Sequence, residues 1–272
     1  MKRLFLLVAA TVMTVATWAW KPVFVGHRGC GNGVENTAEA YRYGVTHYGY
    51  AGLECDVKVS ADGQYIISHD NTTTRLGGQL DVNQSTLEKL QKEQYIQQRY
   101  GLTYAGKICT VSEFLAICKE LNVFPIIELK WANCINNDDM SAFSGLVDLI
   151  KQYDMMDRAI ILTSMRGSLE YILRHFPELH LQYLMMEMTE EKIDWCIQHK
   201  VTPSCAHTGI KANQVRRCHD AGLQVAAWTV NKQEDYDRIV KLGIGFVTTD
   251  ILSVDQPDME PVDWENMVDE AL

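Results

Sequence analysis

The chain has 272 residues, of which 47% are hydrophobic and 22% are charged, and its formal net charge is -10. This composition is that of an ordinary globular protein with enough apolar residues for one large core. The negative charge argues against a nucleic-acid partner. One barrel-type α/β domain fits this length as well as two small domains would.

The two ends of the chain differ from the rest. Lys2 and Arg3 precede the apolar run LFLLVAATVMTVAT, which has the arrangement of a secretory signal peptide but is too short for a comfortable membrane span. We therefore expect a signal peptide over residues 1–19, export to the periplasm or the extracellular space, and no stable membrane span after its removal. An uncleaved N-terminal anchor is the alternative. Residues 252–272 carry seven Asp or Glu and no Lys or Arg, which predicts a solvated acidic tail.

Strand-like runs and helical patterns alternate along residues 22–251. The predicted strands cover residues 23–26, 53–59, 123–129, 159–163, 181–185, 201–204, 224–230 and 245–248. The predicted helices cover residues 37–48, 112–121, 139–152, 168–176, 190–199, 212–221 and 232–242. Alternation of this kind predicts a parallel sheet, and eight strands close a TIM (β/α)8 barrel. An open doubly wound sheet is the structural alternative, but no GxGxxG pattern follows the first strand.

A polar stretch interrupts this alternation at residues 71–107, after the run QYIISHD. It contains the helix-like segment STLEKLQKEQYIQQ, and we expect it to form a small insertion that caps one end of the barrel. Thr110 and Glu113 have the spacing of a capping box before one predicted helix. Asn231 and Glu234 resemble a second capping box.

The eight cysteines do not have the placement of a dense disulfide framework, although an exported protein could use one. Cys55 lies inside the run LECDVKV, and several others fall on or beside apolar segments. We expect most of them to be buried as small hydrophobic residues. The absence of a CxxC pair argues against a structural zinc site.

Unusual polar residues occur at the C-terminal ends of the predicted strands. His27 follows the first strand, and His69 ends the run QYIIS. Glu54 and Asp56 are two residues apart in the second strand and therefore project to the same side. Because the strand ends of a TIM barrel converge on one mouth, we expect these side chains to meet there. Further polar or aromatic residues at strand ends are Glu128, Lys130, Trp228 and Asp250.

Carboxylates on the inward face of a closed barrel would repel one another and lose hydration. A divalent cation is the natural remedy. Glu54, Asp56 and Glu128 offer oxygen ligands only, which suit Mg²⁺ or Ca²⁺ better than zinc. The alternative for an isolated Glu-x-Asp pair is a solvated strand face. Lys130 could neutralise part of a bound anion, and a plain salt bridge to Glu128 or Glu54 is its alternative.

Two imidazoles on either side of a phosphate can divide the proton transfers, one taking a proton and the other giving one. His27 and His69 suit this work because each ends a strand beside a polar turn. A metal ion and Arg28 would hold the phosphoryl oxygens and offset the charge that develops on them. Among the other histidines, only His207 is a further candidate for the mouth. The residues alone therefore favour phosphodiester cleavage.

The same residues resemble the glycerophosphodiester phosphodiesterase family. The resemblance runs in order through GHRG, ENTAEA, GLECDVKVSADGQYIISHD, ICTVSEFL, IIELK, AAWTVN and GIGFVTTD, and it covers nearly all of residues 23–250. It implies a TIM barrel with a small inserted region. It also implies metal-dependent hydrolysis of a small-molecule glycerophosphodiester to an alcohol and glycerol 3-phosphate.

The resemblance also implies a role for each candidate residue. The acid–base pair corresponds to His27 and His69. The ligands of the divalent cation correspond to Glu54, Asp56 and Glu128. The residues that contact the phosphate correspond to Arg28 and Lys130. Trp228 matches an aromatic wall against the glycerol or the leaving group, and core filling is its alternative.

Some positions depart from the pattern of the family. Val34 stands where proline is common, the usual leucine before Arg75 is absent, and no proline follows Asp250 in TTDILSVDQP. None of these changes removes a catalytic group, but they leave the substrate specificity open. Two other functions are retained as alternatives: a related phospholipase D or lyase that acts on intact lipids, and a non-catalytic protein that binds phosphate.

Overall fold

The structure is a computed structural model, which describes residues 21–130 and 134–253. The predicted signal peptide and the predicted acidic tail beyond residue 253 lie outside the described residues. The strands described are, in chain order, β1 (Val23–Gly26), β2 (Gly52–Val59), β3 (Tyr65–Ile67), β4 (Tyr95–Arg99), β5 (Leu102–Gly106), β6 (Cys109–Thr110), β7 (Phe124–Leu129), β8 (Ile160–Thr163), β9 (His180–Met185), β10 (Thr202–Ala206), β11 (Ala226–Trp228) and β12 (Phe246–Thr249).

The α-helices described are α1 (Ala38–Tyr48), α2 (Leu87–Lys92), α3 (Val111–Glu120), α4 (Phe143–Gln152), α5 (Arg166–His175), α6 (Glu190–His199), α7 (Ala212–Asp220) and α8 (Gln233–Val240). Each of them falls on a segment with a predicted helical pattern, and α2 lies in the helix-like segment of the insertion. The start of α4 was predicted too early, at residue 139. The side chain of Asn136 accepts hydrogen bonds from the backbone N–H groups of Asp138 and Asp139, at 2.9 and 3.1 Å, so this segment is a turn before the helix.

A closed barrel of parallel strands forms the centre of the molecule, in the order β1, β2, β7, β8, β9, β10, β11 and β12. It closes because β1 pairs with a strand on each side. Val25 lies opposite Thr248 of β12 and also opposite Gly52 of β2. The predicted TIM barrel is therefore confirmed, and the open doubly wound sheet is excluded.

Apolar side chains fill the N-terminal part of the barrel interior, and polar groups occupy its C-terminal end. The interior cluster consists of Val23, Val25, Phe124, Ile126, Ile160, Leu162, Ala226 and Phe246. Because side chains alternate along a strand, Glu128 continues the inward row of Phe124 and Ile126 on β7. On the neighbouring strand, Glu54 lies opposite Ile126 and Asp56 lies opposite Glu128. The inward row of β7 thus changes from apolar to acidic towards the mouth, beside the acidic pair of β2.

The insertion at residues 71–107 lies between β3 and β6, two short strands that extend the sheet. Strand β3 pairs antiparallel with β2, and β6 pairs antiparallel with β3. It contains a 3-10 turn, helix α2 and the antiparallel hairpin of β4 and β5. A small apolar core anchors it to the barrel. The buried members of this core are Val34, Ile66, Leu76, Val82, Leu90, Tyr95 and Ile108.

The helix predicted for STLEKLQKEQYIQQ is wrong in its second half, because α2 ends at Lys92 and strand β4 begins at Tyr95. The hairpin turn consists of Tyr100 and Gly101, whose φ angles are 50° and 80°. Such left-handed angles are those that a two-residue hairpin turn requires. Pairing with β5 and burial of alternate side chains in β4 override the local preference for helix.

One of the two predicted capping boxes is confirmed. Thr110 Oγ1 accepts a hydrogen bond from the backbone N–H of Glu113 at 3.2 Å, and Glu113 Oε2 accepts one from the backbone N–H of Thr110 at 2.7 Å. The second prediction is wrong, because α8 has Lys232 as its N-cap residue. The side chain of Asn231 instead binds Asp250.

The cysteines are unpaired, and all eight lie within the described residues. Seven are buried and Cys134 is partly exposed, so the expectation of buried small residues is confirmed. Burial raises the pKa of the Cys30 thiol to about 11, which keeps it protonated near neutral pH. No helix in residues 21–130 or 134–253 has the length and apolar character needed to cross a membrane.

The capping box can be tested by replacing Thr110 with alanine. We expect the free energy of unfolding to fall by about 1 kcal/mol, because one N-terminal amide of α3 loses its partner. Urea unfolding measures the change. Thr86→Ala is the matched control, since Thr86 is the N-cap residue of α2 and its side chain makes no cap hydrogen bond. Equal losses in the two variants would contradict this account.

Candidate active site

Three buried or partly buried carboxylates lie together at the C-terminal end of the barrel. Glu54 and Asp56 project from β2, and Glu128 projects from β7 beside them. One oxygen of each carboxylate lies within 4.8 Å of the others. Glu54 and Asp56 are only 2% and 1% exposed. The predicted meeting of these three residues is therefore present in the structure.

The charges of these carboxylates are only partly balanced by the protein. Burial, together with the charges of Asp56 and Glu128, raises the pKa of Glu54 well above its usual value. Burial and the charge of Asp56 also raise the pKa of Glu128. Burial opposes the ionisation of Asp56 as well, but the nearby charges of Lys130 and Arg28 hold its pKa below the usual value. Glu54 and Glu128 thus resist ionisation until further positive charge is supplied.

Two buried oxygens of this cluster make no hydrogen bond within the described residues, namely Glu54 Oε1 and Asp56 Oδ1. Asp56 Oδ1 lies 3.1 Å from Lys130 Nζ as an ion pair. A buried polar atom without a hydrogen-bond partner is costly and points to a missing ligand. The donor set contains only carboxylate oxygens, which hard divalent cations prefer. The residues present therefore fit a divalent metal ion.

Two basic side chains flank the carboxylates. Arg28 Nε lies 3.2 Å from Asp56 Oδ2, and the backbone N–H of Arg28 donates a hydrogen bond to Glu54 Oε2 at 2.8 Å. Lys130 Nζ lies 2.5 Å from Glu128 Oε1. The salt bridge considered for Lys130 is thus present. Both basic side chains therefore lie at the same site as the carboxylates.

The glycines after His27 let the first loop fold tightly against α1. Arg28 has a φ of 50° and Gly29 a φ of 95°, both in the left-handed region. A Cβ atom on Gly29 would lie 2.8 Å from the backbone carbon of Ala40, so no larger residue fits there. This strained turn aims both the backbone N–H and the guanidinium of Arg28 at the carboxylates.

His27 is held by the carboxylate of Asp250, which directly follows the neighbouring strand β12. The distance from His27 Nδ1 to Asp250 Oδ1 is 3.0 Å. Burial opposes the ionisation of Asp250, but the hydrogen bond and charge of His27, the charge of Arg99 and a hydrogen bond from Asn231 lower its pKa to about 2. Asp250 is therefore a carboxylate throughout the pH range in which histidine titrates.

His69 has a similar partner from its own loop. Its Nδ1 lies 2.7 Å from Asp70 Oδ1, while Arg75 Nε donates to Asp70 Oδ2 at 2.6 Å. Burial lowers the pKa of His69. The negative charge of Asp56 acts in the opposite direction, but the positive charges of Arg28 and Lys130 counter it. The ring is therefore mainly neutral at pH 7. In both histidines a carboxylate engages Nδ1, and Nε2 is the nitrogen left for a ligand.

Glu35 connects the two histidine loops. Its carboxylate accepts hydrogen bonds from Arg28 at 3.0 Å and from Arg75 at 2.8 Å. Gln97 of the insertion hairpin donates to the same carboxylate at 2.8 Å. Burial of Glu35 opposes its ionisation, but Arg75 and Arg28 outweigh this effect and hold its pKa far below the usual value. The loop after β1 and the loop after β3 are thus tied through one buried anion.

Trp228 and His207 differ in their relation to this end of the barrel. Trp228 ends β11, is partly buried, and donates from its indole N–H to the carbonyl oxygen of Ser204 at 3.2 Å. It therefore stands at the mouth with a fixed ring. The described contacts of His207 are with Arg238 and Asp235 at the surface, and none joins it to the carboxylate cluster.

Several residues around this site are absent from the site predicted by sequence. They are Glu35, Lys58, Asp70, Arg75, Arg99 and Asn231, whereas Asp250 is already among the strand-end residues expected at the mouth. The sequence pattern could have indicated Lys58, because it continues the alternate row of Glu54 and Asp56 along β2. In the structure its side chain is only 2% exposed. Its Nζ donates to Asn71 Oδ1 at 2.7 Å. Arg99 had no local signal, since it contacts a residue 151 positions away.

A mouth of this kind suits an anion that carries a phosphoryl group. Its two basic side chains can pair with phosphate oxygens, and its two histidines can exchange protons with a hydroxyl and a leaving group. Oxygen ligands for a divalent cation complete the requirements of metal-assisted phosphodiester hydrolysis. Barrel and site together define a metal-dependent phosphodiesterase.

Comparison with known proteins agrees with this class. The sequence model of the glycerophosphoryl diester phosphodiesterase family matches residues 27–254. A glycerophosphodiester phosphodiesterase of Caldanaerobacter subterraneus is 27% identical over 240 residues, which cover 85% of this chain and 94% of that protein. A glycerophosphodiester phosphodiesterase of Bacillus altitudinis is 26% identical over 236 residues, covering 82% of this chain and 92% of that protein.

A solved structure shows the same fold. A phosphodiesterase of Oleispira antarctica, in complex with the product sn-glycerol-3-phosphate, superposes with a TM-score of 0.73 at 19% identity. The match covers 91% of this chain and 97% of that one. The chain described here belongs to the glycerophosphoryl diester phosphodiesterase family, and it is an enzyme that hydrolyses glycerophosphodiesters.

The metal site can be tested by replacing Glu54 with glutamine. We expect the metal-free variant to be at least as stable as the wild type, because repulsion among buried carboxylates falls. It should also need at least about 10-fold more divalent cation for the same rise in Tm. Thermal unfolding across titrations with Mg²⁺ or Ca²⁺ measures both effects.

The matched control is Glu178→Gln, because Glu178 is exposed and precedes β9, at the opposite end of the barrel. It should follow the wild-type titration. If Glu54→Gln also follows that titration, Glu54 is not a ligand.

Proposed function

We propose that His27 and His69 are the acid–base pair of this hydrolysis, and that Glu54, Asp56 and Glu128 hold the divalent cation. The products are an alcohol and glycerol 3-phosphate. The observation that carries this proposal is that the three carboxylates meet at the C-terminal mouth of the barrel, next to the loops that bear both histidines. The product named for the Oleispira antarctica relative also supports it.

The hydrogen bonds of the histidines support a division of labour between them. A carboxylate that accepts a hydrogen bond from Nδ1–H leaves Nε2 of a neutral imidazole as a proton acceptor, and it stabilises the imidazolium that forms. One ring takes the proton of the attacking hydroxyl, and the other gives a proton to the leaving alkoxide. Asp250 and Asp70 orient the rings for these transfers.

Arg28 and Lys130 are the proposed phosphate contacts. Each forms an ion pair with Asp56, one of the proposed ligands of the cation. Each side chain is therefore already directed towards the place where a phosphate next to the cation would bind. Their side chains can stabilise the charge that develops on the phosphoryl oxygens. When bound, a divalent cation supplies the remaining positive charge and polarises those oxygens.

Trp228 is the proposed wall of the site next to the glycerol or the leaving group. Its indole N–H is satisfied by Ser204, so the ring itself is left for apolar contact with the substrate. Such a flat surface can position a small alcohol group without selecting one head group strongly. Glycerophosphocholine and glycerophosphoethanolamine are suitable first substrates.

We propose Mg²⁺ or Ca²⁺ as the cation, because the three ligand side chains supply oxygen atoms only. The titration of the wild-type protein described above ranks the two ions, with Zn²⁺ as the comparison. A rise in Tm with Zn²⁺ that exceeds the rise with both other ions would contradict this choice.

We also propose that the protein is exported. Its support is the basic and apolar pattern at the start of the sequence, with a cleavage position after Ala19. N-terminal sequencing of the protein from separated cell fractions tests this. A mature chain that begins at Trp20 outside the cytoplasm is expected, whereas an intact terminus in the cytoplasm would contradict export.

The acid–base assignment can be tested with His27→Ala and His69→Ala. We expect each variant to lose kcat by about 10²- to 10⁴-fold, because each lacks one proton-transfer group. Release of glycerol 3-phosphate from glycerophosphocholine, measured with a coupled assay, gives the rates. His175→Ala is the control, since the described contacts of His175 lie within its own surface helix. Near wild-type rates in either active-site variant would contradict its assignment.

The same reactions separate the remaining alternatives. A cyclic phosphate that accumulates shows attack by the glycerol 2-hydroxyl, and its absence from trapped reactions shows direct attack by water. Faster turnover of lysolipid micelles than of deacylated diesters would favour the related phospholipase activity. No turnover of any glycerophosphodiester with either cation would contradict the proposed function as a whole.

A further inference from the structure

One face of the insertion hairpin reaches into the active site. Side chains alternate along β4, so Gln97 and Arg99 lie on the same face as the buried Tyr95. Ile96 and Gln98 lie on the other face and are exposed. The two-residue turn fixes the register of the hairpin and pairs Arg99 with Leu102. The hairpin therefore presents one cation and one amide to the barrel in a set geometry.

Arg99 contacts the carboxylate that holds His27. One of its terminal nitrogens donates to Asp250 Oδ1 at 2.8 Å, and the other donates to the carbonyl oxygen of Cys30 at 2.8 Å. The same Asp250 oxygen lies 3.0 Å from Nδ1 of His27. Arg99 thus connects the carboxylate after β12 with the loop after β1.

The other oxygen of Asp250 is also occupied. Asn231 donates to Asp250 Oδ2 at 2.7 Å, and the backbone N–H of Asp250 donates to Asn231 Oδ1 at 2.8 Å. The plane of this carboxylate is therefore set from two sides, by Asn231 from the barrel and by Arg99 from the hairpin. Loss of Arg99 would leave it free to turn about its contact with Asn231.

Two further contacts keep the hairpin in place. Gln97 binds Glu35 twice: its amide nitrogen donates to the Glu35 carboxylate at 2.8 Å, and its oxygen accepts from the Glu35 backbone N–H at 2.9 Å. Tyr100 packs on Gly31, where a Cβ atom would lie 2.4 Å from the ring. The hairpin is thus seated on the loop after β1 at several points, which limits the movement of Arg99.

We propose that Arg99 is a positioning residue for the hydrolysis, which acts through Asp250 to hold the ring of His27 in its reactive orientation. The insertion is then part of the catalytic apparatus rather than only a cover on the barrel. This inference rests on the proposed acid–base role of His27. It assigns to Arg99 no contact with the substrate.

The first test compares Arg99→Ala with Gln98→Ala, its exposed neighbour on the other face of β4. We expect Arg99→Ala to lower kcat by about 10- to 100-fold, as the loss of outer contacts to a functional group commonly does. KM for glycerophosphocholine should change by less than about 3-fold, because Arg99 does not bind the substrate. Gln98→Ala should match the wild type in both constants. A rise in KM with unchanged kcat would overturn the proposal.

The second test is a double-mutant cycle with His27→Ala. If Arg99 acts through His27, Arg99→Ala should cost less than about 3-fold in kcat once His27 is absent. Equal losses in both backgrounds would show a general structural effect and overturn the proposal. If Arg99→Ala does not fold, as judged by circular dichroism, Arg99→Gln replaces it in the cycle because glutamine retains a hydrogen-bond donor.

The cycle also distinguishes a failure of this inference from a failure of the proposed function. A wild-type rate in His27→Ala would contradict the acid–base role on which the inference rests. A low rate in His27→Ala combined with a wild-type rate in Arg99→Ala would contradict only the role of Arg99.

Discussion

The burial of three carboxylates at one point is the constraint on which the rest of the site depends. Like charges in a poorly hydrated place are costly unless positive charge is brought to them. Arg28 and Lys130 provide part of that charge, and they leave Asp56 ionised while Glu54 and Glu128 resist ionisation. Glu54 Oε1 and Asp56 Oδ1, two buried oxygens that make no hydrogen bond within the described residues, mark where a divalent cation fits. The site thus favours the binding of a divalent cation, and the cation in turn favours the binding of an anionic substrate.

The barrel delivers this arrangement through the alternation of side chains. On β7 the inward row begins with Phe124 and Ile126, which fill the interior, and it ends with Glu128 at the mouth. The same strand thus contributes to stability at one end and to chemistry at the other. Closure between β1 and β12 brings His27 and Asp250 together, although they are 223 positions apart in sequence.

Outer residues divide their support between the two histidines. Asp70 and Arg75 support His69 from within its own loop, whereas Asp250, Asn231 and Arg99 support His27 from three distant segments. Glu35 ties the two groups through Arg28 and Arg75. Because these ions are partly buried, each carboxylate and each guanidinium limits the rotation of its neighbours. The compact insertion contributes to this network through its hairpin.

The amino-acid sequence is sufficient to predict the barrel, the three acidic residues and the strand ends at which the histidines lie. These features follow from local rules, because periodicity reports which side of a strand is buried and alternation with helices reports parallel pairing. The capping box of Thr110 was equally local, whereas Asn231 had the right spacing for a cap but serves Asp250 instead. Its role depends on a partner that the spacing does not show.

The fold of the insertion and the partners of each histidine depend on contacts that form only in the folded chain. Local preference favoured helix in QYIQQ, but pairing with β5 and burial of alternate side chains made it a strand. Arg99 reaches Asp250 only because that hairpin lies across the loop after β1. Hydrogen bonds and ion pairs between distant segments depend on distances in space, and these are set when the barrel closes and the insertion packs against it.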